Sequence, residues 1–497
     1  MDGAWAPGPC LQSADSNSRA GGPCYLDTQE NQDFHLNWLN GTYRINQIVL
    51  SLMALAFAGS LYAQQPTVNS TLEFLELLGF SESELAYLCD DESLDPLDAQ
   101  SGNGLQKLMG HLNRLPRWRA AQWRQKNFDL AGIENAAKDL QGELIQITGR
   151  LKDITTVVVP AEVAERVGFD SYHVCAIEDP ANEKSFIVAT VNLPEALADS
   201  SPPLDEKVRT TALFLNTNSS GQLLLAAREL EWFPDKKSPL VKSEDHLELA
   251  KLGFDVGRLA EVIDRKPLET NDRECFYQLL SAMGRRVESS DKGPNGSRKI
   301  PAVGAIELLQ KPETHRGRFY SVTGTARRAI RVEVDDPDIV ERLGITHYYE
   351  IEVFDAQAKV TVSKINDEPD AVFNSYPIVF CTRTIPDWMP TGDVIHQDVT
   401  IVGAYMKLWS YRSQFLSESS TVKSKNGNVE KRQLQLSPLL IGHSPVRAPE
   451  TATSNPTAGL AVGIGFGIVL VALSLYIWRT NQGDKQARER LRRFEEE

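Results

Sequence analysis

"KLGFDVGRLAEVIDRKPLE" occupies residues 251–269, and "LLGFSESELAYLCDDESLD" occupies residues 77–95. Set against each other without a gap, 174 positions apart, they share Leu78/Leu252, Gly79/Gly253, Phe80/Phe254, Leu85/Leu259, Ala86/Ala260, Asp90/Asp264 and Leu94/Leu268. The echo continues in order. "LIQITGRL" (144–151) answers "FYSVTGTA" (319–326), an offset of 175. "PAEVAERVGFDSYHVCAI" (160–177) answers "DPDIVERLGITHYYEIEV" (336–353), an offset of 176. "FIVATVNLPE" (186–195) answers "IVFCTRTIPD" (378–387), "VRTTALFL" (208–215) answers "VTIVGAYM" (399–406), and "QLLLAA" (222–227) answers "QLQLSP" (433–438), at offsets of 192, 191 and 211. Chance similarity does not keep such an order. The chain reads as two copies, the second longer by loop residues before 377 and between 411 and 432.

Each copy opens with helical periodicity. Leu249, Leu252, Val256, Leu259, Val262 and Ile263 recur at helical spacing, and Phe276, Leu279, Leu280 and Met283 line one face of "DRECFYQLLSAMG", with Asp272 placed to cap and Gly284 to stop it. Leu105, Leu108, Met109 and Leu112 do the same in the first copy. Each copy then turns to short runs rich in β-branched and aromatic residues, with a glycine inside the "TGR" and "TGT" strand pattern, where a bulge or sharp bend is expected. A short helix begins at Pro160 or Pro337 and ends at Gly168 or Gly344. Five or six curled strands with one such helix fit an OB-type barrel; a sandwich is the alternative.

Two apolar runs shape the expected topology. "INQIVLSLMALAFAGSLYAQQ" (45–65) follows Arg44 and closes on small residues, a signal-peptide pattern with cleavage after Ala63, or else an uncut N-terminal anchor. "AGLAVGIGFGIVLVALSLYIW" (458–478) carries no charge over 21 residues and is followed by Arg479 and a basic tail, which predicts a single transmembrane helix with the tail cytoplasmic. The expected fold is thus α+β: a tandem duplication of a helical hairpin followed by an OB-like small β-barrel, plus one C-terminal transmembrane helix. The expected boundaries are 1–63 leader and signal, 64–140 helical module, 141–235 barrel, 236–312 second helical module and linker, 313–446 second barrel, 447–457 stalk, 458–478 span and 479–497 tail.

The net charge of −15 argues against nucleic acid, which requires a basic footprint. Cys89, Cys175, Cys275 and Cys381 form no CxxC pair, so zinc is not expected, and free buried thiols are favoured over bridges. There is no HExxH, GxSxG, P-loop or usable GxGxxG, so neither catalytic residues, nor a metal site, nor a cofactor is expected. Glu165-Arg166 and Glu341-Arg342 recur in the two short helices, where a solvated face or local ion pair is favoured over an anion site.

The best binding candidate is "AYMKLWSYRSQ" (404–414). Alternation along a strand places Tyr405, Lys407, Trp409 and Tyr411 on one face, where aromatics plus a cation can stack a sugar, a base or a peptide side chain. Packing against the neighbouring module explains the strip equally well. Gly459, Gly463 and Gly467 fall four apart in the apolar run, spacing that permits close helix association and homo-oligomers in a membrane.

"DRECFYQLLSAMG" (272–284) and "LSPLLIGHSPV" (436–446), taken with the signal pattern, the duplicated module and the terminal apolar run, resemble uncharacterised planctomycete-type envelope proteins. That resemblance implies a compartment and no activity. The expected function is a membrane-anchored extracytoplasmic (periplasmic) binding or scaffold protein of the bacterial envelope, with a protein or polysaccharide partner. A receptor-like sensor and an envelope hydrolase with a dispersed site are the alternatives.

Overall fold

A computed structural model of the chain describes residues 68–90, 99–126, 130, 133–285, 299–355, 358, 360–362, 371–373, 375–412, 422–424, 427–429, 434–449 and 464–476. The repeated Leu-Gly-Phe is a helix stop. Helix α1 (Thr71–Leu77), capped by Ser70, ends at Gly79, whose φ is +82°, and the Phe80 N–H returns to the Leu75 carbonyl. Glu244–Lys251, capped by Ser243, ends at Gly253 (φ +78°), and the Phe254 N–H returns to the Leu249 carbonyl. Glycine is needed because the left-handed conformation crowds a Cβ. The phenylalanine that follows is buried in both copies.

The first copy continues through α2 (Glu82–Asp90), α3 (Ala99–Arg114), α4 (Arg117–Trp123) and α5 (Ile133–Leu140). Its strands are β1 (Leu144–Val158), β2 (Ser171–Asp179), β3 (Lys184–Asn192), β4 (Glu206–Thr217) and β5 (Leu223–Glu229), with α6 (Ala161–Val167) after β1 and α7 (Glu195–Ala198) after β3. The second copy has α8 (Glu244–Lys251), a 3-10 turn at Val256–Glu261, α9 (Thr270–Gly284), α10 (Ala305–Leu309) and α11 (Pro312–His315). Its strands are β6 (Phe319–Glu333), β7 (His347–Asp355), β8 (Tyr376–Thr382), β9 (Gln397–Arg412) and β10 (Leu434–Gly442), with α12 (Pro337–Leu343) after β6.

The chain is α+β, with two mixed six-stranded sheets. The first runs β1-β2-β3-β5-β4, with the two-residue Glu231–Trp232 as sixth strand beside β4, and adds a β1–β4 pairing; the second runs β6-β7-β8-β10-β9, with Val446–Arg447 as its sixth, and adds β6–β9. Each sheet therefore closes on itself, in the order of an OB-type barrel, with one parallel pair (β3–β5, β8–β10). The registers agree residue by residue. Leu144 faces Leu213 and Gly149 faces Val208; Phe319 faces Ala404 and Gly324 faces Val399. The strand irregularities coincide too, at Leu151/Asp153 and Ala326/Arg328, and at Phe214/Asn216 and Tyr405/Lys407. A Cβ on Gly149 would lie 2.6 Å from the Glu178 carbonyl oxygen, and one on Gly324 2.5 Å from that of Phe354, so both strands need glycine where a neighbouring backbone comes close.

One sequence match is corrected. Ala227 pairs with Ala212 and Thr190, whereas Gly442 pairs with Gly403 and Thr382. Ala227 thus corresponds to Gly442, an offset of 215 and not 211. A slip of four keeps the in–out alternation of a strand, so hydrophobic pattern alone does not detect it.

Ile147, Cys175, Phe186, Val188 and Phe214 fill the first barrel, and Val322, Ile351, Phe380, Val399 and Ile401 fill the second. Each helical module covers the outside of strands three, five and four of its own barrel. Leu75, Phe80, Leu108 and Met109 meet Ala189, Leu213, Leu224 and Ala226; Leu249, Phe254, Leu279 and Met283 meet Cys381, Ala404, Leu439 and Ile441. The second copy also carries two extra hairpins, Val360–Val362 with Ala371–Phe373 and Val422–Ser424 with Gly427–Val429.

Both copies lie in one unit ending at Val446; residues 447–497 form a second. There the expectation of a C-terminal transmembrane helix is overturned. Among the described residues no helix is long and apolar enough to cross a membrane. Within the apolar run, the described residues 464–476 are helical. A single-pass membrane protein with a cytoplasmic tail is therefore not supported. Gly467 lies on this helix; Gly459 and Gly463, like the signal pattern at 45–65, lie outside the described residues.

Candidate functional site

The strip singled out in the sequence lies on β9. Its four side chains do not share a face, because the irregularity between Tyr405 and Lys407 breaks the alternation. Tyr405 belongs to the core inside the second barrel, while Lys407, Trp409 and Tyr411 point out of it. Nor is the cation presented to solvent. Lys407 is 0% exposed; its Nζ donates to Asp272 Oδ2 at 2.6 Å and to the Pro267 carbonyl at 3.1 Å. The Arg265 N–H donates to the Leu408 carbonyl, the Leu408 N–H to Asp264 Oδ1, and the Ser410 N–H to the Lys266 carbonyl, so the turn before α9 lies along β9 like an added strand. Trp409 and Tyr411 stack, with ring centroids 5.0 Å apart.

The same outer surface brings in groups that no sequence motif marks. Glu350 and Glu352 are two apart on β7 and so share a face. Arg328 Nη1 lies 3.3 Å from each, and its Nε 3.4 Å from Asp393. Burial pushes the Glu350 carboxyl up to about 7; Arg328 opposes this only in part, and Glu352 adds to it. Burial raises Glu352 as well, and raises the Tyr411 phenol, with both glutamates contributing. By register, the first copy carries Val174 and Ala176 in place of these glutamates. The signal was there, in the "YEIEV" of a strand whose counterpart reads "HVCAI", but two acids in a strand become informative only once both are known to be buried.

A second charged cluster joins the copies. Arg117 of α4 grips Glu229 of β5 through Nε and Nη2, both at 2.7 Å, and its Nη1 lies 3.5 Å from Glu274 of α9. Arg258 donates to Glu229 at 2.6 Å and to Glu261 at 2.7 Å, and lies 3.0 Å from Asp255. Arg342 of α12 grips Glu274 with two bonds of 2.8 Å and also meets Asp338, which Arg273 shares at 3.0 Å. Burial works to raise Glu229, but the charge of Arg258 and the hydrogen bond and charge of Arg117 override it, and the carboxyl is held well below the usual range. Glu274 is lowered likewise, burial being outweighed by Arg342 and Arg117. Asp255 is the exception, pushed up to about 7 by burial that Arg258 offsets only in part.

Among the described residues no group of three or more His, Cys, Asp or Glu is placed to hold a metal. Cys89, Cys175, Cys275 and Cys381 are buried and form no disulfide; burial raises the Cys89 thiol to about 11 and the Cys175 thiol to about 12, which keeps both from acting as nucleophiles near neutrality. Compared with known proteins, the chain matches no family model and no curated protein.

Proposed function

We propose that the chain is a binding or scaffold protein that holds two OB-type barrels at a fixed spacing. The observation carrying this is the ionic seam: Arg117, Glu229, Arg258, Glu274 and Arg342 come from both copies and tie them through side chains no more than 23% exposed. Charges committed to one another in this way hold shape and are poorly placed to turn over a substrate. Val158 on the first barrel, 78% exposed, and Val394 on the second, 92% exposed, lie on surfaces open to a partner. A photoreactive side chain at each, in the full chain in cells, tests the reading. A recurrent protein or polysaccharide adduct supports it; no adduct at either position, with turnover of a hydrolase substrate by the purified chain, overturns it.

The acid pair favours a second reading, a hydrolase, since Glu350 holds a proton near neutrality beside Glu352. Against it, the two are 9% and 8% exposed and share Arg328. Loss of any hydrolysis in Glu350→Gln would be its signature.

A further inference from the structure

Residues 99–128 contain six lysines and arginines and no acid, in a chain whose net charge is −15. The end of this stretch is built around α4, a helix with no buried residue. Arg117 turns inward to Glu229 and Glu274. Arg114, Arg119, Arg124 and Lys126 do not: none of them makes an ion pair among the described residues. The Arg119 guanidinium lies 4.0 Å from the Trp118 ring centroid and 5.4 Å from that of Trp123, and donates to Gln122 at 3.2 Å. Both tryptophans are half-buried. Stacking restrains the planar cation without using up an ionic partner, so the ordering cost of binding a carboxylate is already partly met. Asp338 and Asp336 of the adjoining α12 region are committed to Arg273, and Glu229 and Glu274 to the seam, while Glu143 accepts from the Gln125 amide at 3.1 Å.

We infer that α4 and its flanks dock an acidic segment of a partner protein. Charge complementarity selects an anion, and size selects a short one. The helix is about 10 Å long. An extended polyanion or an anionic bilayer would also face the rest of an acidic chain and be repelled by it, whereas a peptide with a few carboxylates meets only the local cations. The aromatic rings add apolar contact for the peptide's aliphatic stems. This surface is separate from the acid–aromatic face of the second barrel, and failure here leaves the scaffold reading standing.

The test uses the full chain and a fluorescein-labelled octaglutamate peptide, followed by anisotropy at two salt concentrations. Saturable binding is expected, weaker at the higher salt, reduced about tenfold or more by Arg119→Glu with Arg124→Glu, and changed less than about twofold by Arg327→Glu, an exposed site on the second barrel. Circular dichroism confirms that the variants fold. No saturable binding, equal binding by the reversed variant, or tighter binding to phosphatidylglycerol vesicles or a single-stranded oligonucleotide than to the peptide would overturn the inference.

Discussion

Helices α6 and α12 are the same device in two settings. Both are seven residues long, begin near a proline, end at a left-handed glycine and carry Glu-Arg near the end. In the first copy Arg166 is exposed. In the second, α4 of the first copy packs beside the helix, and Arg342 sits in a network with Glu274 and Asp338. Equivalent backbones have thus acquired different duties from different neighbours. Duplication supplied the shape twice; the asymmetry of a tandem array, in which only one copy has a module on a given side, decided which charges became structural.

The comparison breaks most readily at Lys407. Its counterpart by register is Asn216, at the same strand irregularity. Lys407→Ala strands the Asp272 carboxylate, itself 1% exposed, and is expected to cost about 3–5 kcal/mol in urea unfolding; Asn216→Ala should cost under about 1 kcal/mol. Equal costs would mean that the buried pair adds nothing specific to the second copy. Next comes the helix itself. Arg342→Ala should cost about 3 kcal/mol by the same logic, because Glu274 is left buried, and Arg166→Ala should leave the urea midpoint unchanged.

A smaller effect separates the second barrel's acids from those of the seam. Glu350 has a folded value of about 7, above the ordinary 4.5. The folded state therefore keeps a proton that the unfolded chain has released; its contribution is full below about pH 4.5 and is lost as pH rises through about 7. Glu229, held low, does the reverse: its contribution is present above the unfolded value and is lost on acidification. Glu350→Gln should raise the melting temperature relative to the parent at pH 8 and leave it unchanged near pH 4.5. A parallel offset across the whole range would show that the carboxyl does not titrate there. Smallest of all, Gly79→Ala and Gly253→Ala should each cost about 1 kcal/mol, because an L-residue resists the left-handed turn; clearly unequal losses would show that the two helix stops are not equivalent.

What the sequence makes legible follows from locality. The Leu-Gly-Phe stop, the strand glycines and the proline–glycine brackets of α6 and α12 are dictated within a few residues, and they mark equivalent places in both copies. The β9 strip departs from its sequence pattern for the opposite reason. Alternation assumes an uninterrupted strand, and the irregularity at Tyr405/Lys407 sends Tyr405 inward. Asp272, the group that buries Lys407, is 135 residues away in the chain. The seam was invisible on the same grounds: Arg117 and Glu229 are 112 residues apart, and neither reads as anything but a surface charge. The apolar run at 458–478 predicts a span from its length and lack of charge, yet no helix among the described residues is long and apolar enough to cross a membrane.

The ionic character of the seam has a consequence for the order of synthesis. The sheet of the first copy is complete at Trp232, before Arg258, Glu274 and Arg342 have been made. Domains tend to fold from the N-terminus as they emerge, and an uncovered apolar face at that stage invites aggregation. Here the waiting face carries Arg117 paired with Glu229, groups that water solvates well. The half-made protein thus has a joint whose charges stay hydrated, while Leu230, Trp232 and Phe233, which share one buried core with Val256 and Leu259 of the second copy, wait for that copy to cover them.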